Sequence, residues 1–128
     1  MRNLFRSLFV AAGLCVAAVA SFAGELPYSK AAFDKALAAG EPVVVDFAAS
    51  WCPTCKAQKP VVQALLAEPQ RKALTVFVAD FDTEAALKKQ LNVTMQSTLV
   101  AFKAGKEAAR STGQTSKAEL GVLLDKAL

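Results

Sequence analysis

The run Val43-Val44-Val45-Asp46-Phe47-Ala48, opened by Pro42 and followed closely by a Cys-x-x-Cys pair, limits the possible folds more than any other segment. A strand with one wet face alternates apolar and polar residues. This run is almost continuously apolar, so both faces need cover. Helices on either side of a sheet give that cover, and strands linked by crossover helices run parallel.

The flanking sequence supplies such helices. Ser29 can cap a helix over residues 30–39, with Ala32, Phe33, Ala36 and Leu37 on one face and Gly40 as its stop. A second helix is expected over 52–68, altered in character at Pro60. Residues 74–79 read as another buried strand and 83–91 as a helix with Ala85, Ala86 and Leu87. The pattern then changes to a hairpin, with strands over 98–103 and 107–112 about Ala104-Gly105-Lys106. Ser116 and Glu119 form a capping box for a last helix, whose apolar face is Leu120, Leu123, Leu124 and Leu128. The expected architecture is α/β: a mixed central sheet with helices on both faces.

The first residues have a different character. Arg2 and Arg6 precede an apolar run from Leu8 to Ala20, broken only by Gly13, and Ser21-Phe22-Ala23 offers small residues where a signal peptidase cuts. Residues 1–23 therefore read as a cleaved signal peptide and 24–128 as one domain. Ala18-Val19-Ala20 is a second candidate cleavage site. An uncleaved anchor is the alternative, but the run is shorter than the roughly 20 residues of a spanning helix. Leu14 before Cys15 argues against lipidation there. Cleavage would place the domain in the periplasm or another exported compartment.

Arg2 and Arg6 would leave with the signal, lowering the net charge from +4 by two. That balance does not suggest nucleic-acid or membrane-surface binding. The domain is large enough to fold without covalent staples, and a monomer is expected.

Of three cysteines, Cys52 and Cys55 would remain. A disulfide closing so short a loop restricts the unfolded chain little, so the pair points to redox chemistry or metal binding. The chain has no histidine, which removes the commonest metal ligand and any Cys-His catalytic pair. A zinc site would also need a second pair of ligands. At a helix N-terminus the Cys52 thiolate would face free N–H groups and the positive end of the dipole, and Pro53 suits the first turn. Cys52 is then the attacking thiol, and Cys55, one turn in and expected to be less exposed, the resolving one. No cofactor is required.

Val44-Val45-Asp46-Phe47-Ala48-Ala49-Ser50-Trp51-Cys52-Pro53-Thr54-Cys55-Lys56 resembles the active-site strand and turn of the thioredoxin family. Pro60 resembles the proline that kinks the family's active-site helix. Residues 99–106 resemble its closing hairpin, and Gly113 its glycine near the active-site surface. The likeness runs over residues 25–128 and implies a thioredoxin-like fold. It assigns Asp46 as the buried aspartate that assists proton transfer at the inner cysteine. Desolvation of a carboxylate inside an apolar strand agrees with that role, whereas capping of a nearby backbone group is the plainer alternative. Trp51 would be a wall beside Cys52, or simply packed beneath the loop.

Two positions depart from the family. Its cis-proline, usually followed by threonine, shapes the groove for a substrate strand; here Ser97-Thr98 stands in that place. A cis bond without proline costs roughly 3–4 kcal/mol, so a trans Gln96–Ser97 bond is expected, with the Ser97 hydroxyl near Cys52. The family's proline also keeps metals off the cysteines. Val78 replaces a lysine often found near the aspartate. By resemblance, the substrate-binding set is Trp51, Ser97 and Thr98.

The implied activity is disulfide exchange with cysteine-containing protein substrates. The Pro-Thr centre resembles that of periplasmic reductants of cytochrome c maturation, although the inserted central segment of that group is not visible. The large helical insertion of disulfide-forming oxidants is also missing. A reductant or an isomerase-type thiol exchanger is therefore expected, the reductant being favoured and recharged by a membrane electron-transfer partner. The alternative is a metal or cluster carrier using the same two cysteines.

Overall fold

The computed structural model describes residues 24–128; the signal-peptide reading, including Cys15, lies outside the described residues. Ten short elements follow one another: β1 (Gly24–Pro27), α1 (Lys30–Ala38), β2 (Val43–Ala48), α2 (Pro53–Leu66), a 3-10 turn (Pro69–Arg71), β3 (Thr75–Asp80), α3 (Ala85–Leu91), β4 (Thr98–Lys103), β5 (Lys106–Thr112) and α4 (Lys117–Asp125). The strands form one five-stranded sheet in the order β1-β3-β2-β4-β5. β1 and β2 run parallel to β3, while β4 is antiparallel to β2 and β5.

The expected mixed sheet is therefore present, with β2 at its centre. Val43, Val45 and Phe47 face a core layer with Phe33, Phe77 and Phe102. Val44 faces the other layer, with Val62, Leu65, Leu99, Leu120 and Leu124. This two-sided burial is the physical reason the strand does not alternate. Phe33 meets Phe77 and Phe102 edge-on, at centroid distances of 6.0 and 5.5 Å.

Several boundaries differ from expectation. β1 was not anticipated: only Leu26 and Pro27 break a short polar stretch, and pairing with β3 creates the strand. Ala32 is exposed, because Phe33 and Ala36 alone define the buried face of α1. α2 begins at Pro53 and ends at Leu66, and the chain then turns through Pro69–Arg71. α3 starts at Ala85 rather than Thr83; its preceding residue Glu84 makes no side-chain cap, and Ala85 and Ala86 face solvent. Ala127 rather than Leu128 is buried beyond the end of α4.

Arg71 ties the end of that turn to α4. Its guanidinium donates to Asp125 Oδ1 and Oδ2 at 2.9 and 3.0 Å and to Glu68 Oε2 at 2.5 Å. Arg71 Nη2 packs over Gly121, where a Cβ would lie 3.4 Å away.

Candidate active site

Strand β2 ends at Ala48, and the chain turns through Ala49, Ser50 and Trp51 to the N-terminus of α2. Cys52 is the N-cap, with extended backbone (φ −88°, ψ 113°), and Pro53 occupies the first helical turn. An N-cap side chain accepts from an otherwise unpaired helical N–H. Here the acceptor is sulfur: Cys55 N–H points at Cys52 Sγ across 3.1 Å.

This capping role corrects the expected order of exposure. Cys52 is 1% exposed and Cys55 7%. The Cys52 side chain turns inward to cap the helix, and Ser97 covers it, so position at the helix start does not leave it open. Both thiols are free. Burial pushes Cys52 upward, but hydrogen bonds from Cys55, Ser97 and the N–H groups of Cys55 and Thr54 outweigh it, and its pKa falls below the ordinary thiol value. For Cys55 burial dominates, the bond it gives Cys52 adds to it, and its pKa rises.

Ser97 sits above the pair, in the loop before β4. The Gln96–Ser97 bond is trans, as expected, since no peptide bond among the described residues is cis. Ser97 Oγ lies 3.1 Å from Cys52 Sγ and 3.0 Å from Cys55 Sγ. Its N–H donates to Phe47 O at 2.8 Å, and its carbonyl accepts from Gly113 N at 3.0 Å and Gln58 Nε2 at 3.3 Å. Thr98 is turned inward: its Oγ1 donates to Met95 O and contacts Thr112 Oγ1, both at 2.8 Å. That hydroxyl braces the loop against the hairpin.

Asp46 lies in β2 beneath the pair, and Oδ1 has no hydrogen-bond partner. Burial first, and the charge of Glu25 second, raise its pKa to about 7. Its parallel neighbour in register is Val78. A cavity of about 500 Å³ beside it is lined by Asp46, Cys55, Glu25, Lys56, Lys59 and Val78 among others. Asp46 and Cys55 thus face a common space, as a proton exchange between them requires.

Trp51 is 55% exposed, and its indole N–H donates to Asp82 Oδ2 at 2.8 Å. It is a wall at the surface, not packing beneath the loop. Met95, equally exposed, lies in the loop that carries Ser97.

Three participants escaped the sequence reading. Gln58, one turn after Cys55, is buried and fixes the Ser97 loop through Ser97 O and Gln114 O. A polar residue on the inward face of α2 was the available signal. Glu25 enters through β1, and Asp82 through the turn after β3; neither carries a local motif. No cluster of three or more His, Cys, Asp or Glu side chains suited to a metal forms among the described residues.

Two neighbouring thiols of opposite pKa shift, one stabilised as thiolate and one held protonated, are arranged for thiol–disulfide exchange. The thioredoxin family model matches residues 25–126. The thioredoxin of Chlamydia trachomatis is 39% identical over 84 residues, covering 66% of this chain and 80% of its own. A bifunctional thioredoxin reductase/thioredoxin of Mycobacterium leprae is 36% identical over 88 residues, 69% of this chain but 19% of that protein. The crystal structure of Trxlp from Edwardsiella tarda superposes with a TM-score of 0.77 at 44% identity, covering 79% of this chain and 98% of the other. The class defined by fold and dithiol is the thiol–disulfide oxidoreductases. Within it, this chain belongs to the thioredoxin family.

Proposed function

We propose that the chain is an exported reductant of protein disulfides. Cys52 attacks a substrate disulfide, Cys55 resolves the mixed disulfide, and Asp46 accepts the Cys55 proton through the shared cavity. The observation that carries these roles is the asymmetry of the pair: Cys52 Sγ accepts the Cys55 N–H and has a lowered pKa, while the Cys55 pKa is raised. The thiolate is the nucleophile in exchange, so the sulfur that ionises first attacks first. Trp51 and Met95 provide the exposed apolar surface against which a substrate strand would rest.

The reductant direction is supported by the short connection from β3 to β4, which holds only α3, without an inserted helical unit. Export is supported by Arg2, Arg6, the apolar run 8–20 and Ser21-Phe22-Ala23. An exported reductant loses its electrons to an oxidising compartment and needs a membrane electron-transfer partner to restore them. Fractionation of cells expressing the full chain, with N-terminal sequencing, tests export; a product starting at Met1 in the cytosol would refute it. The Cys52–Cys55 reduction potential tests direction. A value near that of strong disulfide-forming oxidants, about −120 mV, would overturn the reductant reading.

A further inference from the structure

We propose that Ser97 is a catalytic residue whose hydroxyl bridges Cys52 Sγ and Cys55 Sγ and serves as donor to whichever sulfur carries the negative charge. The proposal rests on the exchange reaction assigned to this pair. Its basis is position: one buried oxygen lies 3.1 Å from one sulfur and 3.0 Å from the other. By contrast, the Cys55 N–H reaches Cys52 Sγ.

Ser97 is held in place from three directions. Phe47 O on β2 accepts its N–H, and Gln58 on α2 and the Gly113 N–H donate to its carbonyl. Its φ is +59°, a left-handed conformation uncommon for a residue with a Cβ. The surrounding bonds hold the residue there and leave the hydroxyl rotation as its remaining freedom.

A hydroxyl has one proton to give and lone pairs to accept with. In the reduced pair, the Ser97 O–H and the Cys55 S–H both donate to the Cys52 thiolate. Attack by Cys52 forms a bond to one substrate sulfur and breaks the substrate disulfide; the other substrate sulfur leaves as thiolate and takes a proton from solvent. Cys52 is then neutral. Cys55 passes its proton to the Asp46 carboxylate, and the Ser97 hydroxyl turns to donate to the new Cys55 thiolate. Attack by Cys55 forms the Cys52–Cys55 disulfide, breaks the mixed disulfide and releases the second substrate thiolate. The protein loses two electrons and the substrate gains them, while Ser97 ends unchanged.

The other charged groups around Cys55 are Lys56 and Lys59 on α2, Asp46 on β2, Asp80 at the end of β3 and Glu25 on β1, all lining the cavity. Asp82 holds the indole of Trp51 beside Cys52.

Ser97→Gly and Ser97→Ala test the bridge. Glycine adopts positive φ freely, so its fold is retained even if alanine strains the loop. The readouts are the pH profile of Cys52 alkylation by iodoacetamide and the equilibrium with glutathione. Both variants should move the profile to higher pH. Loss of a donor to the reduced pair should also shift the equilibrium about tenfold toward the disulfide, a potential lower by about 30 mV. In protein already carboxamidomethylated at Cys52, Ser97→Gly should likewise raise the Cys55 titration read by ultraviolet thiolate absorbance. Profiles superimposable on the unmodified protein would overturn the proposal, as would a shift in the alanine variant without one in glycine. An unchanged Cys55 titration would refute the bridge. Failure of the unmodified protein to reduce insulin disulfides would instead sink the exchange reading itself, while leaving the titrations interpretable.

Discussion

Asp46 and Val78 stand opposite one another, in register, on the adjacent parallel strands β2 and β3. An aliphatic side chain thus occupies the position from which a cation could neutralise the buried carboxylate. Glu25, lining the same cavity, adds a negative charge. With Oδ1 unpartnered, burial first and Glu25 second favour the protonated carboxyl, and its pKa rises to about 7.

This makes stability depend on pH with a definite sign. From about pH 4 to about pH 7 the folded protein holds a proton on Asp46 that the unfolded chain has released. Stability falls as pH rises through that window and levels off above it. The full shift corresponds to at most about 4 kcal/mol. Asp46→Ala should flatten this slope and be roughly 2–4 kcal/mol more stable than the unmodified protein at about pH 8. Urea unfolding of both proteins across pH checks this; an undiminished slope in the variant would assign the titration to another group.

The same substitution should slow the second chemical step. Without Asp46 the Cys55 proton loses its proposed acceptor, and resolution should fall on the order of 100-fold near neutral pH. It should recover at higher pH, where solvent can deprotonate the thiol. Stopped-flow reduction of a fluorescent disulfide separates this step from the first attack. A rate independent of both pH and Asp46 would leave the carboxylate a structural role.

Cys55→Ser should accumulate mixed disulfides with substrate proteins, because attack at Cys52 continues and resolution does not. Cys52→Ser should accumulate none. Non-reducing gels followed by mass spectrometry read this directly, and trapping by Cys52→Ser alone would reverse the assigned order.

The indole N–H of Trp51 donates to Asp82 Oδ2, and the ring is largely at the surface. Trp51→Ala should raise KM for protein disulfides several-fold while changing stability by about 0.5 kcal/mol or less. The rate with a small aromatic disulfide should be nearly unaffected. A large loss of stability would show the ring to be packing rather than a docking surface.

Arg71 is the buried cation among the described residues, bound by Glu68 and Asp125. Arg71→Ala removes both links, although Glu68 keeps Lys117 and Gln70 as partners. Partial exposure of those carboxylates limits the damage to about 2–3 kcal/mol, measurable as a lower urea midpoint. Activity per folded molecule should be unchanged, since Arg71 lies at the α2–α4 contact away from the cysteines.

The sequence by itself determined the central strand, the helix that begins at the Cys pair, the closing hairpin and the buried state of Asp46. The three elements and the last helix are encoded locally: unbroken apolar residues at β2, a Pro at the first turn of α2, a Gly-centred turn at residue 105, and Ser116 before α4 with Glu119 in its first turn. Tertiary structure alone decided the rest. β1 exists because β3 offers it a ladder of hydrogen bonds, not because Gly24–Pro27 favours a strand. Cys52 is as enclosed as Cys55 because Ser97, 45 residues later, is held over both sulfurs. Glu25 bears on Asp46, and Asp82 on Trp51, across strands and turns that no local pattern relates. Hydrogen bonds and charges act over ångströms of space, and distance along the chain fixes such separations only within a helix turn or a strand pair.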